Sequence, residues 1–535
     1  MTAKESSSSG GLLLLWALLT AVALACRPLL PVDETRYVSV AWEMWQRGEF
    51  LVPHLNGLPY SHKPPLLFWL IHLGWWIFGV NEWTPRLVGP LAGLADLFLT
   101  RAIGRALWPE QPAAGMLAPF LLLGSLLWTV FTTLTLFDTL LTLFVLAALW
   151  AMVTPRLRWT TRWLLVGVFI GGGLLAKGPV VFLHVVPAAL LFPWWGGSFG
   201  RGDIRKWFGG LALACLMGTA IAAFWALPAA AAGGSRYGQA ILWEQTAGRV
   251  VGSFAHRQPF WFYLALLPPA LFPWLLWKRI WSGKGAIWKD TGLRFCLAWM
   301  VSSLAALSLV SGKQVHYLLP LIPSMALMGA KILVDRSMVE QPARLWGPAA
   351  FFAAAGGVLL SAPVLFAGAG DLPRQLQIDA GWAWVPVAVG LLLVFWRPKR
   401  VLSVPPVLAA ASIALVCSLH FAVFHSLAPA YDVRPMALRI ASIQRSGKAV
   451  AQFGTYSGQY QFAGRLEKPL EVLPSTVSLT AWVHEHPDGY ILLNKDPDQT
   501  LSESGAFFEQ DYRRKRAILW NAKIFASIPD VFNRL

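Results

Sequence analysis

From Gly11 onward the chain returns repeatedly to apolar runs of about twenty residues, separated by short loops that carry many of its arginines and lysines. Runs of that length match the hydrocarbon thickness of a bilayer, where only a helix or a closed barrel satisfies its own backbone. A hydrophobic content of 56%, a charged fraction of 13% and a mean hydropathy of +0.54 exclude a soluble globular protein of this length. The expected fold class is therefore mainly α and polytopic. The net charge of +17 does not indicate nucleic acid, because the basic residues are spread over many short loops.

The apolar runs place spans near 11–30, 86–107, 113–131, 137–153, 162–177, 179–195, 207–230, 260–277, 293–311, 317–334, 346–368, 383–396 and 402–428, about thirteen in all. The first run has no convincing cleavage site after it and reads as a retained span. With the N-terminus on the cytoplasmic side, Arg101/Arg105, Arg156/Arg158/Arg162, Arg201/Arg205/Lys206, Lys278/Arg279/Lys284/Lys289 and Arg397/Lys399/Arg400 all fall on that side. This is the distribution that orients membrane helices. The opposite side then receives the long loop 31–85, the loop near 231–259, the turns around Lys177 and Lys313, and everything after residue 430. Cys26, Cys215, Cys296 and Cys417 lie in or beside apolar runs without metal-like spacing, so no disulfide framework is expected.

Within loop 31–85, Val38 to Phe50 has helical periodicity and Leu66 to Phe78 is apolar, Trp-rich and short for a span. Both read as helices along the outer interface, where Trp is enriched. Hydropathy falls after His425. Strands are expected at Ala449–Phe453, Leu470–Leu473 and Tyr490–Leu493, with helices near Tyr456–Ala463 and Val477–His486. The division is thus a membrane domain, 1–429, and a soluble α/β domain, 430–535.

Acidic residues are scarce beside the spans and each requires an account. Asp33, in Asp33-Glu34-Thr35-Arg36-Tyr37, and Asp138, in Phe137-Asp138-Thr139, both fall at the outer surface. They are the candidate catalytic carboxylates, since a carboxylate can take a proton from an acceptor hydroxyl while a glycosyl phosphate departs from the opposite face. The structural alternatives are an interface pair with Arg36 for Asp33 and a helix cap for Asp138. Asp96, inside the second span, reads as structural or cytoplasm-facing.

The outer cations Arg36, Lys63, Lys177, Arg249, Arg257 and Lys313, with the hydroxyls of Tyr60 and Tyr317, are candidates for stabilising a departing phosphate. Any one of them alone is more commonly an interfacial cation with its stem in the apolar region. His62, His256 and His316 are the weak candidates for metal ligands.

These residues resemble the bacterial aminoarabinose lipid A transferases, members of the GT-C glycosyltransferases that also include the protein O-mannosyltransferases. The resemblance rests on Asp33 to Tyr37, Val52-Pro53-His54-Leu55-Asn56-Gly57, Lys63-Pro64, Phe137-Asp138, Ala176-Lys177-Gly178, His256 to Tyr263, and Lys313 with Tyr317, which occur in the family's order over nearly the whole chain. It implies a thirteen-span GT-C enzyme with outer-leaflet interfacial helices and a periplasmic C-terminal domain, in the bacterial inner membrane. That enzyme takes a sugar from undecaprenyl phosphate with inversion.

By the same resemblance Asp33 is the first-loop catalytic carboxylate and Asp138 the second acidic residue. Lys63 and Arg257 are the donor-phosphate cations, with Tyr317 and Lys313 nearby. The family usually carries Glu before Lys-Pro, a residue associated with a metal position, where this chain has His62. A divalent metal ion is accordingly the one cofactor considered. Implied partners are the polyprenyl-phosphate sugar donor, a lipid A or other envelope acceptor, and membrane lipids, with a monomer as the default. The rival class is a lipid or sugar transporter or flippase, which would show paired repeats and ionisable residues near the midplane. Here they collect at one surface.

Overall fold

In a computed structural model, residues 3–197, 201–243, 257–282, 288–335, 344–366, 379–496 and 505–528 are described. Among them, eight helices are long and apolar enough to cross a membrane: Ser9–Cys26, Trp83–Leu107, Trp159–Lys177, Asp203–Ala232, Thr291–Leu309, Val315–Asp335, Trp346–Val364 and one within Val401–Arg445. Shorter apolar helices at Pro112–Leu123, Phe137–Val153, Val180–Leu190 and Ala380–Phe395 pack among them. The chain is a multi-pass membrane protein. The elements used below are α1 (Ala3–Cys26), α2 (Asp33–Arg47), β1 (His54–Leu55), β2 (Leu58–Pro59), α3 (Leu66–Phe78), α4 (Trp83–Leu107), α5 (Pro112–Leu123), α6 (Leu126–Phe131), α7 (Phe137–Val153), α8 (Trp159–Lys177) and α9 (Val180–Leu190).

Several expected spans are broken. The run 113–131 is split into α5 and α6 at Gly124. A Cβ there would lie 2.6 Å from the Trp274 ring and 2.9 Å from the Ala409 backbone, so only glycine permits this approach. The freed amide of Leu126 donates to the Phe272 carbonyl at 3.2 Å. The run 260–277 is divided into the helix Phe262–Ala270 and the 3-10 turn Trp274–Leu276, because Pro268, Pro269 and Pro273 each lack a backbone donor. The run 179–195 breaks at Leu191 between α9 and a short turn, Phe192–Trp195.

Loop 31–85 contains two helices, as its periodicity requires, but α2 begins at Asp33 rather than Val38. Asp33 and Glu34 occupy its first turn, where carboxylates meet the positive end of the helix dipole, and Gly48 ends it at φ 66°. The 13 residues of α3 reach about 20 Å, too short to cross the hydrocarbon core without help. Between them β1 and β2 form an antiparallel pair around Asn56-Gly57, with φ of 53° and 84°. Both values lie in the left-handed region that Asn-Gly hairpin turns require.

That hairpin tip docks on the C-terminal part of the chain. The Asn56 amide donates to the Leu470 carbonyl at 2.8 Å and accepts from Leu470 N at 2.8 Å and from Gln461 Nε2 at 2.7 Å. Nearby, Trp75 stacks on Phe462 at 5.3 Å and Trp42 Nε1 donates to Leu466 O at 3.0 Å. Asn56→Ala removes all three bonds and leaves a half-buried backbone pair to find water. A loss of about 1–3 kcal/mol is expected, read as faster amide exchange across 456–470. Unchanged exchange would mean that the aromatic contacts alone hold the two parts together.

The C-terminal sheet has the order β4-β3-β5-β7-β6, where β3 is Val450–Phe453, β4 Glu471–Leu473, β5 Tyr490–Lys495, β6 Phe508–Tyr512 and β7 Lys515–Asn521. β4, β3 and β5 run parallel, and β7 and β6 add antiparallel. Alternate side chains face opposite layers. Leu492 and Leu519 pack with the helix Arg434–Arg445, while Ile491, Leu493, Ile518 and Trp520 pack with the helix Thr476–Glu485. The three expected strands lie in the parallel half. The expected helix 456–463 is reduced to Gln461–Gly464.

Candidate active site

The Asp33-Glu34 pair is divided by its own helix. Asp33 keeps 44% of its side chain exposed, accepts from Arg36 Nη2, and accepts from Tyr37 Oη at 3.3 Å. Burial and then the Asp33 charge push the Tyr37 phenol well above its usual range, so it stays a donor. Burial opposes the charge on Arg36, but Tyr60, Tyr37 and Asp33 outweigh it and raise its pKa.

Glu34 turns inward with 3% exposure. It accepts from Arg27 Nη1 at 2.6 Å, from Leu30 N at 3.0 Å and from Thr135 N at 2.7 Å, while Arg27 Nη2 reaches the Thr133 carbonyl. The inward carboxylate thus ties the start of α2 to the α6–α7 connection, which carries the second acidic residue.

Asp138 sits in the first turn of α7 but makes no capping bond. Its side chain is 3% exposed and is held by Lys177 Nζ and, at 3.6 Å, by His316 Nε2. Lys177 is the last residue of α8, and its ammonium lies 4.0 Å from the Tyr317 ring centroid. The elements that carry the two acidic groups, α2 and α7, pack together at Phe137. Tyr37 contacts its ring edge-on at 4.8 Å, Phe68 packs at 5.7 Å, and the Lys63 ammonium lies 5.4 Å from the centroid. Tyr60 and His62 stand together beside this group, their rings 5.3 Å apart. One buried phenyl ring therefore gathers Asp33's helix, Lys63 and the Asp138–Lys177–His316 cluster into a single surface.

Arg257 and Lys313 belong to an adjacent segment. Arg257 is exposed and bridges Gly312 as an isolated antiparallel pair. Lys313 is buried, its ammonium bound to the carbonyls of Gln258 at 3.1 Å and Val310. Lys313 thus fastens this bridge, three residues before His316. Arg249 and His256 lie outside the described residues. Asp96 is fully buried in α4, and neither carboxylate oxygen has a hydrogen-bond partner among the described residues.

Among the described residues no three acidic, histidine or cysteine side chains converge, and the charge of Asp138 is already matched by the Lys177 ammonium.

Sequence reasoning saw the roles of Glu34 and His316 poorly. Glu34 stands one residue after Asp33, and that single step turns it by 100° around the helix, from the exposed side to the buried one. His316 was considered only as a metal ligand, and its pairing with Asp138 depends on two helices distant in sequence.

The family described as dolichyl-phosphate-mannose-protein mannosyltransferase matches residues 62–225. The undecaprenyl phosphate-alpha-4-amino-4-deoxy-L-arabinose arabinosyl transferase 1 of Sodalis glossinidius is 30% identical over 403 residues, covering 72% of this chain and 69% of the relative. The transferase of that name from Erwinia tasmaniensis is 30% identical over 329 residues, covering 59% of this chain, and the match spans only 57% of the relative's length. The crystal structure of ArnT from Cupriavidus metallidurans bound to undecaprenyl phosphate superposes with a TM-score of 0.76 at 19% identity. That superposition covers 95% of this chain and 97% of the other, a likeness of fold.

Proposed function

Because the chain belongs to the family of the undecaprenyl phosphate-alpha-4-amino-4-deoxy-L-arabinose arabinosyl transferases, we propose that it moves a sugar from a polyprenyl (undecaprenyl) phosphate to lipid A or another envelope acceptor. It does so with inversion, at the periplasmic face of the bacterial inner membrane. In this reading residues 1–429 form the membrane domain and 430–535 a periplasmic domain. The observation that carries the proposal is the packing around Phe137, where Tyr37, the donor to the half-exposed carboxylate Asp33, and the cation Lys63 meet, one residue before Asp138 and its partner Lys177. A transporter has no use for a base and a phosphate cradle at one surface.

Asp33 is the general base. It removes the proton of the acceptor oxygen as that oxygen attacks the anomeric carbon, and the bond from that carbon to the phosphate oxygen breaks. Charge grows on the departing polyprenyl phosphate, where fixed cations in a partly dry site act most strongly. Lys63, Arg36 and Lys177, the exposed Arg257 of the adjacent bridge, and the Tyr317 hydroxyl serve that phosphate.

Asp138 positions rather than reacts. It is closed off from solvent and holds Lys177 against Tyr317 and His316 beside it. Lys313 keeps the Arg257 segment in place. Lys63→Ala is expected to lower turnover about a hundredfold, as loss of one donor to a developing anion does, while folding is unchanged. Turnover within twofold of the native chain would remove Lys63 from the phosphate site.

The test in cells is mass spectrometry of lipid A and envelope glycolipids from a strain lacking the chain, complemented with the native chain or Asp33→Asn. A pentose-sized increment restored by the native chain alone supports the reading. Lipid and polyprenyl-phosphate-sugar pools unaffected by the deletion would instead favour a transporter or flippase.

A further inference from the structure

A polar cavity of about 780 Å³ opens between the C-terminal sheet and the membrane-embedded part, lined by none of the residues assigned to sugar transfer. Its walls are Gly454 and Thr455 after β3, Asn494 at the end of β5, Arg513 and Arg514 at the tip of the β6–β7 hairpin, and Val32, the residue before Asp33. Such a volume suits a phosphorylated sugar headgroup.

Its position follows from the sheet's topology. From β3 the chain crosses to β4 on one side, through the face that packs with Arg434–Arg445, and then returns through the helix Thr476–Glu485 on the other face to β5. The connections therefore diverge between β3 and β5. The crevice beyond the carboxyl ends of strands at such a point is where open α/β sheets take ligands. Here Gly454, with φ of 80°, and Asn494 border it.

The chemistry of the lining is that of an anion and hydroxyl site. Arg513 is held out at the tip with φ of 58°, a conformation fixed by its amide donating to the Ala430 carbonyl at 2.8 Å at the end of the last membrane helix. Lys515 pairs with Asp496 at 2.8 Å, leaving the cationic side of the mouth to Arg513 and Arg514. On β5, paired beside the strand that follows this hairpin, the amide oxygen of Asn494 is buried without a hydrogen-bond partner among the described residues, an acceptor suited to a ligand hydroxyl.

We infer that this crevice binds a phosphate-bearing, hydroxylated headgroup of the acceptor, with Arg513 and Arg514 on the phosphate and Asn494 on a hydroxyl. It thereby holds the acceptor beside the start of α2. The identification of the ligand as the acceptor rests on the transferase reading. The site itself rests on the cavity.

The test measures binding without donor, so it is separate from turnover. The full chain in detergent micelles is titrated with lipid A and with the same lipid A after enzymatic removal of its phosphates. The native chain is expected to prefer the phosphorylated form by about tenfold to a hundredfold, the range for hydrogen bonds to a charged group. Arg513→Gln with Arg514→Gln should abolish the preference. Thr455→Glu, which places a negative charge on the opposite wall and leaves the hairpin intact, should do the same and decides the matter if the hairpin variant does not fold.

Equal binding of both lipids by the native chain, or an unchanged preference in a folded variant, overturns the inference. If sodium pyrophosphate binds the native chain while the two lipids do not differ, the crevice serves a soluble anion instead, and the inference again fails. A preserved phosphate preference in a chain that transfers no sugar would count against the transferase reading alone.

Discussion

Asp33→Asn is expected to lower sugar transfer by about 10²–10⁴-fold, the range over which a positioned base contributes, with the protein still folded and inserted. The substitution keeps the shape of the side chain and its place at the start of α2, where 44% of it is exposed, so little packing is disturbed. It removes the lone pair that would take the acceptor's proton. It also removes the charge that holds Arg36 and accepts from Tyr37, so a control is needed for misplacement of Arg36. Arg36→Gln provides it. If Asp33 acts only by holding Arg36, the two variants should fail alike, whereas a base predicts the larger loss for Asp33→Asn. Turnover retained within threefold would exclude Asp33 from proton transfer.

The second large effect falls on stability. Glu34→Ala is expected to cost about 3–5 kcal/mol, because it strands the buried Arg27 guanidinium and leaves the amides of Leu30 and Thr135 without their acceptor. Thermal unfolding in detergent reads the loss. The paired replacement Arg27→Met with Glu34→Leu should recover much of it, since an apolar pair of similar volume avoids the desolvation of two ions. A single substitution that leaves the unfolding temperature unchanged would mean that α2 is fixed to the α6–α7 connection by its apolar face alone.

These two neighbouring carboxylates also show what a sequence can and cannot convey. That the chain is a bundle of membrane helices was legible in the repeated apolar runs, because bilayer thickness sets one length for all of them. The two helices of the first loop were legible from periodicity and tryptophan. The assignment of Asp33 to a half-exposed turn and Glu34 to a buried ion pair was not, since it depends on α2 beginning at Asp33 and on Thr135, 101 residues away, offering its amide.

The breaks in the helices at Gly124 and around Pro268-Pro269 carried a local signal, glycine and proline, that hydropathy averaging smooths away. Asn56-Gly57 was equally a hairpin signal, and its docking on Leu470 was not, because that partner lies 414 residues along the chain. The antiparallel strands β6 and β7 escaped reading because β6 is charged and half-exposed, whereas β7 is buried continuously from Ala517 to Trp520 and shows no alternation. For the same reason the Asp138–Lys177–His316 cluster became visible only in the fold, although each member had been noted separately.

The most direct test of the central claim is a single-turnover assay of the purified full chain in lipid nanodiscs, with undecaprenyl phosphate-aminoarabinose labelled in the sugar and lipid A as acceptor. The account predicts that label moves to lipid A with inversion at the anomeric carbon, with one undecaprenyl phosphate released per sugar transferred, and that Asp33→Asn leaves the donor intact. Donor that remains uncleaved by the native, folded chain would contradict it.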